Sequence, residues 1–335
     1  MEWKRDARSM SGAKPHLIDK KKILRAVLSR FIIWLTIPLR IFRELNDWFS
    51  PPTPLRNATA NVSHSNGKDH SVDRAQEQLW REQADHDEWW TPGSSMSTLK
   101  LFNPLRVRLI AEAYLKETLG LENSWEQAFH RDERPLSGAR ICDVGCGGGI
   151  LTEALAEAGA SVVGIDMMAP AIGIAKRHWH DTHGSEDSTL APEYICKPLA
   201  TFAEDQARSF DVVVCSEVLE HVSNPQEFAA MCCQLVRPGG CVIFTTMNRT
   251  IYSLLFFMVL VEDILGLIPR WLHRLYLCVK PEEIEQVTNR MGFETLKLKG
   301  VLWYPSKLSL SMEENLRCSL MSFTGLGYAL VAKRH

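Results

Sequence analysis

The sequence predicts an α/β protein built on a mostly parallel, doubly wound sheet with helices on both faces. Three observations predict it. Five short apolar runs between Arg140 and Thr246 alternate with helical stretches. A glycine-rich turn follows the first run, and a cluster of two acids and a histidine follows the fourth. Strands that alternate with helices pair in parallel, because each right-handed crossover returns the chain to run in the same direction. The 335 residues, 45% of them hydrophobic and 23% charged, suffice for a large core without disulfide or metal staples.

The elements follow in chain order. Residues 1–43 hold eleven Lys or Arg against three acids, Glu2, Asp6 and Asp19. The apolar run Phe31 to Leu35 is bounded by Arg30, Pro38 and Arg40, too short and too charged to cross a bilayer. Residues 1–50 therefore read as a targeting or membrane-associating segment, either a mitochondrial transit peptide or an interfacial anchor. Residues 51–75, rich in Pro, Asn, Ser and Thr, read as a disordered linker, and a single domain is expected over 76–335. Its first helices are placed at Gln76 to Trp90 and Asn103 to Leu119, with a turn at Trp89-Trp90-Thr91-Pro92-Gly93.

Strands are expected at Arg140–Val144, Ser161–Asp166, Tyr194–Lys197, Phe210–Cys215 and Cys241–Thr246. Helices are expected at Ile150–Ala158, stopped by Gly159, at Ala169–His180, and at Pro225–Leu235. Arg237-Pro-Gly-Gly240 reads as a turn. The nine cysteines include no CxxC pair and are odd in number, which fits neither a disulfide framework nor a zinc knuckle. They point to a reducing compartment such as cytosol or mitochondrial matrix. A net charge of −2 leaves no electrostatic footprint for nucleic acid.

Asp143-Val-Gly145-Cys-Gly147-Gly148-Gly149 lies between a strand and a helix, where bare backbone lets a ligand approach the helix N-terminus. The spacing is GxGxG, with Ile150 where a dinucleotide fingerprint has its third glycine, which disfavours a nicotinamide dehydrogenase. Asp166 ends the second strand 21 residues after Gly145, placed to accept both hydroxyls of a ribose. Met167 either lies against a base or fills the core. Ser216-Glu217-Val-Leu-Glu220-His221 follows the fourth strand, at the same sheet end as the glycine turn. In a helix, Glu217, Glu220 and His221 would share one face and form a divalent-cation site. Without a metal, His221 could act as general base, or simply cap a helix.

The apolar run Ile251 to Val261, followed by Arg270, Trp271 and Arg274, is too short to span a bilayer but fits an interfacial segment. It marks a membrane-facing insertion at about 251–279; a buried helix or a dimer contact is the alternative.

Together these residues resemble the class I S-adenosylmethionine-dependent methyltransferases, and more narrowly the ubiquinone-biosynthesis O-methyltransferases. The resemblance runs from Glu88 to Pro305 and includes Trp89-Trp90, Asn103-Pro-Leu-Arg106, the glycine turn, Glu217-Val-Leu-Glu-His221, Leu235 to Gly240 and Thr246-Met-Asn-Arg249. Residues 308–335 are only loosely similar. The resemblance implies a Rossmann-like, seven-stranded, mostly parallel sheet. It implies S-adenosylmethionine held by Arg106, Asp143, Gly145, Gly147, Asp166, Met167 and Ser216, with Arg106 meeting the methionine carboxylate. It implies a magnesium-type cation on Glu217, Glu220 and His221, with His221 and Glu217 carrying the chemistry on the hydroxyls of a polyprenyl catechol. Eukaryotic members of the family work at the matrix side of the inner mitochondrial membrane, peripherally bound and within a multi-subunit complex. A carbon- or nitrogen-directed small-molecule methyltransferase, or a non-catalytic subunit of such a complex, remain the alternatives.

Overall fold

The computed structural model describes residues 36–49, 89–92, 94, 96–131, 134–184, 190–305 and 316–335. The expected linker at 51–75, the helix proposed from Gln76 and the apolar run Phe31 to Leu35 lie outside the described residues, save the turn at Trp89 and Trp90.

Eight strands form one sheet in the order β3-β2-β1-β4-β5-β8-β6-β7. The first five are β1 (Arg140–Val144), β2 (Ser161–Asp166), β3 (Glu193–Cys196), β4 (Phe210–Ser216) and β5 (Val236–Met247), and they pair in parallel. The remaining three, β6 (Phe293–Pro305), β7 (Leu316–Met321) and β8 (Gly327–Arg334), join antiparallel. The sheet thus has eight strands where seven were expected, three of them antiparallel. The extra pairing comes from the C-terminal region: β6 reaches 13 residues, long enough to pair with β8 on one side and β7 on the other.

The parallel strands are buried on both faces, and successive side chains serve two cores. In β4, Val212 and Val214 join the core beneath the helices Asn103–Glu112 (α2), Ile150–Glu157 (α4) and Ala169–His183 (α5). Val213 and Cys215 join the opposite core, beneath Leu199–Asp205 (α6), Pro225–Leu235 (α7) and Pro281–Arg290 (α9). Local sequence sets the helix ends. Pro104 and Pro225 stand in the first turns of α2 and α7, where a missing N–H is harmless, and Asn224 caps α7 by accepting from Glu227 N at 3.3 Å. A further short helix, Trp125–Arg131 (α3), packs outside α2.

The expected turn at Arg237–Gly240 lies within the span of β5 as an outward loop: Phe210 pairs with Val236, and pairing resumes at Val212 with Cys241. Arg237 is held there by Asp211, at 2.5 Å from its Nε, and Asp211 also accepts from the backbone N of Arg140 at 2.7 Å.

After β5 the chain leaves the sheet as a helix, Ile251–Ser253 (α8), which widens into a π-helix over Leu254–Ile264, then runs irregularly to Lys280. Residues 36–49 form a helix (α1) whose Ile41, Leu45 and Trp48 pack with Leu254, Met258 and Leu275 of this insertion. Among the described residues no helix is long and apolar enough to cross a membrane.

Candidate active site

Between β1 and β4 the strand order reverses direction, from β1-β2-β3 on one side to β4-β5 on the other. The loops after β1 and β4 therefore diverge and leave a crevice at the carboxyl ends of the strands. A cleft opens there, lined by Gly145, Cys146 and Gly147 after β1, by Asp166, Met167 and Met168 after β2, and by Ser216, Glu217, Val218 and His221 after β4. Arg106 and Asp143 line its floor. Of the sequence-derived candidates, all but Glu220 line this one cleft.

The glycine turn is built by backbone that other residues reach at a cost. Gly145 and Gly147 sit at φ +75° and +53°. Gly145 N donates to the Ile165 carbonyl at 2.8 Å, which ties the turn to the end of β2. A Cβ at 145 would stand 2.6 Å from Val218, and one at 147 or 148 would overlap the ring of Trp89. Trp89, part of the cleft wall, thus lies close against the turn. Trp90 secures it, donating from Nε1 to the Gly148 carbonyl at 2.8 Å and stacking on His178 with centroids 3.4 Å apart.

Asp166 accepts from Gly147 N at 3.0 Å and Met168 N at 2.8 Å. Burial raises its pKa and these backbone bonds oppose the rise. Asp166 lines the cleft, and each carboxylate oxygen keeps acceptor capacity beyond these bonds, as a ribose diol requires. Asp143 accepts from Thr152 Oγ1 at 2.6 Å, and burial pushes its pKa up to about 6.

Arg106 is 4% exposed, so it is no surface ion-pair partner. Its guanidinium donates to Ser216 Oγ at 3.2 Å, to the Leu99 carbonyl at 2.9 Å and to Asn103 Oδ1. Burial lowers its pKa to about 10, opposed by the charges of Asp143 and Glu217. Its Nε is buried without a hydrogen-bond partner.

The segment Glu217–His221 is not the helix that would put its three groups on one face. Glu217 stands at φ +56°, and only Leu219–His221 forms a single 3-10 turn. The left-handed residue costs about 1–2 kcal/mol and turns the Glu217 carboxylate back to β5. There it accepts from Thr245 Oγ1 at 2.8 Å, which lies 2.7 Å from Ser216 Oγ. Arg106, Ser216, Thr245 and Glu217 thus form one hydrogen-bonded chain across the cleft floor. Glu220 accepts from the next threonine, Thr246, at 2.7 Å.

Burial raises the pKa of Glu217. Burial, then the charge of Glu217, pushes Glu220 up to about 8. His221 is held well below its usual value by burial, hence neutral, and its ring lies 5.4 Å from that of His273. Two carboxylates that repel each other and a neutral imidazole are donors that suit a divalent cation. Glu220 Oε1 is buried without a hydrogen-bond partner, as an unused ligand atom would be. Among the described residues, no three such side chains converge as a ligand set.

Trp89, Leu99, Lys197, Thr245 and Phe228 escaped sequence reasoning as site residues. The side-chain-free positions 147 and 148 leave room for a close neighbour, and Trp89 fills it, while Gly149 makes room for Tyr194. Thr245 could have been found from register, since it pairs with Ser216 on the neighbouring strand.

A glycine turn at a switch point, an acid at the end of β2 and a buried arginine beside it define a class I S-adenosylmethionine-dependent methyltransferase. Residues 121–298 match a family model described as a methyltransferase domain. The chain is 36% identical over 236 residues to the ubiquinone biosynthesis O-methyltransferase of Bordetella avium, covering 70% of this chain and 88% of that protein. It is 38% identical over 222 residues to the enzyme of the same name from Thiobacillus denitrificans, covering 65% and 82%. The chain belongs to the ubiquinone biosynthesis O-methyltransferase family. Among solved structures, magnesium protoporphyrin IX methyltransferase from Synechocystis PCC 6803 with bound SAH aligns at a TM-score of 0.47 and 17% identity, over 77% of this chain and 100% of that one.

Proposed function

We propose that the protein transfers a methyl group from S-adenosylmethionine to a hydroxyl of a polyprenylated catechol or hydroquinone intermediate of ubiquinone biosynthesis. The observation that carries this reading is the meeting of the nucleoside-type cleft with Glu217 and His221 on its wall, Glu220 lying buried behind them. Family membership supports it, the relatives being named for that pathway.

S-adenosylmethionine supplies an electrophilic methyl, and a divalent cation, magnesium by preference, supplies charge that favours an ionised phenol. Asp166 would hold the ribose hydroxyls, Met167 would lie against the base, and the Arg106 guanidinium would supply the positive charge that draws the methionine carboxylate. Glu217 and His221 face the acceptor side. Without a cation, His221, neutral from burial, is the group placed to take the phenolic proton, and the Arg106–Ser216–Thr245–Glu217 chain holds the Glu217 carboxylate in place. Positioning and charge placed in advance carry most of the rate. Glu217, Glu220 and His221 are the residues that would hold the cation.

A lipid-tailed substrate calls for peripheral membrane binding. Ile251, Tyr252, Leu255, Ile264 and Leu265 of the insertion are exposed, which supports that role for 251–279. The basic stretch of residues 1–43 and the nine free thiols support a location on the matrix side of the inner mitochondrial membrane, within a ubiquinone-synthesis complex.

The test is calorimetry with S-adenosylhomocysteine, then mass spectrometry of the reaction with a prenylated catechol against a panel of amines. Glu217→Ala with Glu220→Ala should keep S-adenosylhomocysteine binding and lose methyl transfer. Full activity of that variant in EDTA refutes the cation role, and methylation of amines alone refutes the substrate class.

A further inference from the structure

The helix at residues 36–49 is wired to the active site through buried charge. Arg40 has no exposed side-chain surface. It donates to Asp263 Oδ1 at 2.8 Å, to Glu262 Oε2 at 2.6 Å and to the Met258 carbonyl at 2.8 Å, with its guanidinium 4.6 Å over the ring of Trp271. A second anchor lies one turn on: Glu44 accepts from Arg274 Nε and from Leu275 N, each at 2.8 Å.

Glu262 is the junction. One oxygen takes Arg40 and the backbone N of Trp271 at 3.0 Å; the other takes the backbone N of His273 at 3.1 Å and lies 2.8 Å from His273 Nδ1. Trp271 sits at φ +67°, a conformation that wraps the 270–275 loop around this carboxylate. His273 presents its ring to His221 at the cleft. The connection therefore runs Arg40, Glu262, His273, His221, from a helix some 180 residues upstream in sequence to the acceptor side of the site.

A fully buried ion network is a weak way to gain stability, because apolar residues of the same volume would often do as well. What it does supply is a single geometry, since each group has its partner at one position only. We propose that Arg40 and Glu262 are positioning residues for methyl transfer, acting through His273 to fix His221 at the cleft, and that helix 36–49 is a working part of the enzyme rather than a passive leader. The inference rests on the reading of the cleft given above.

Two full-length variants test it. His273→Leu removes the ring that faces His221 and leaves Arg40 with its partners. Arg40→Met with Glu262→Gln removes one buried charge of each sign together and leaves Asp263 paired with Arg270, whose Nε lies 2.6 Å away. The cofactor side is held by other elements, so S-adenosylhomocysteine should bind both variants as it binds the wild type. In methylation of a prenylated catechol, kcat should fall by about tenfold or more while KM moves little, the signature of lost positioning. Independently of turnover, the His221 ring resonance in histidine-labelled protein with S-adenosylhomocysteine should shift or broaden in both variants. An unchanged His221 resonance overturns the proposal. So does undiminished kcat in variants of an active wild type, or a parallel collapse of thermal stability and S-adenosylhomocysteine affinity, which marks a merely structural role. A wild type without catechol methylation sinks the functional reading instead, and the resonance still decides the positioning.

Discussion

Replacing Arg106 with Met keeps much of the side-chain volume and removes the cation between Asp143 and Glu217. Arg106 is 4% exposed and its guanidinium has three acceptors, so the loss is not screened by water. Removing it leaves the acceptors Ser216 Oγ, the Leu99 carbonyl and Asn103 Oδ1 without this donor, at about 1–3 kcal/mol for each buried group left unpaired. The two carboxyl groups respond by holding protons longer, and Asp143, already near 6, rises further. The sign follows. A carboxyl whose folded pKa exceeds its unfolded value makes the native state bind the extra proton, so stability falls as pH climbs from the unfolded value, near 4, through the folded one. Arg106→Met should therefore lose more stability at pH 8 than at pH 5.5. Urea unfolding at the two pH values reads the difference. Calorimetry at pH 8 should show S-adenosylhomocysteine binding weakened by about tenfold to a hundredfold, the worth of a charge-assisted hydrogen bond of about 1.5–3 kcal/mol. A stability change below about 1 kcal/mol that is the same at both pH values, with undiminished affinity, would refute the electrostatic account.

Other outcomes follow from the same geometry. Gly147→Ala adds a Cβ into the Trp89 ring at a left-handed position, for about 1–2 kcal/mol of backbone strain and about 1–3 of overpacking. Tryptophan emission should shift to the red and S-adenosylhomocysteine affinity should drop; unaltered emission and affinity would show that Trp89 does not rest on the turn. Leu255→Glu with Leu265→Glu changes side chains that are 47% and 53% exposed, so melting should hold while co-sedimentation with cardiolipin-containing liposomes is lost. Pelleting equal to wild type counts against the membrane face.

Much of the parallel half of the fold is legible because its signals are local. The runs at 140–144, 161–166 and 210–215 are apolar on both faces and bounded by turn residues, and the helix at Pro225–Leu235 starts with Asn-Pro and ends where β5 begins. The antiparallel half is less legible. The strand at Phe293–Pro305 carries Glu294, Lys297 and Lys299, so its pattern is diluted by charge, and its partners are set by pairing distant in sequence. The cofactor side of the site could be read because backbone geometry demands glycine at 145 and 147. The acceptor side could not, because a helical spacing at 217–221 is overridden by the left-handed turn at Glu217, which the two threonines of β5 compensate. Arg40 was invisible for another reason: its partners lie more than two hundred residues away, and in sequence it is one more positive charge in a basic stretch.

The sulfur chemistry of the molecule follows from where its strands lie. Seven of the nine thiols are shut inside and an eighth, Cys318, is half covered, its pKa pushed up to about 12 by burial. Only Cys196 stands open, at the end of β3 beside Asp166 and next to Lys197 of the cleft wall. A maleimide dye or a mild oxidant therefore meets Cys196 first, at the strand end beside Asp166 and Lys197, which line the cleft. A label attached there would report on occupancy of the cleft without a single engineered residue.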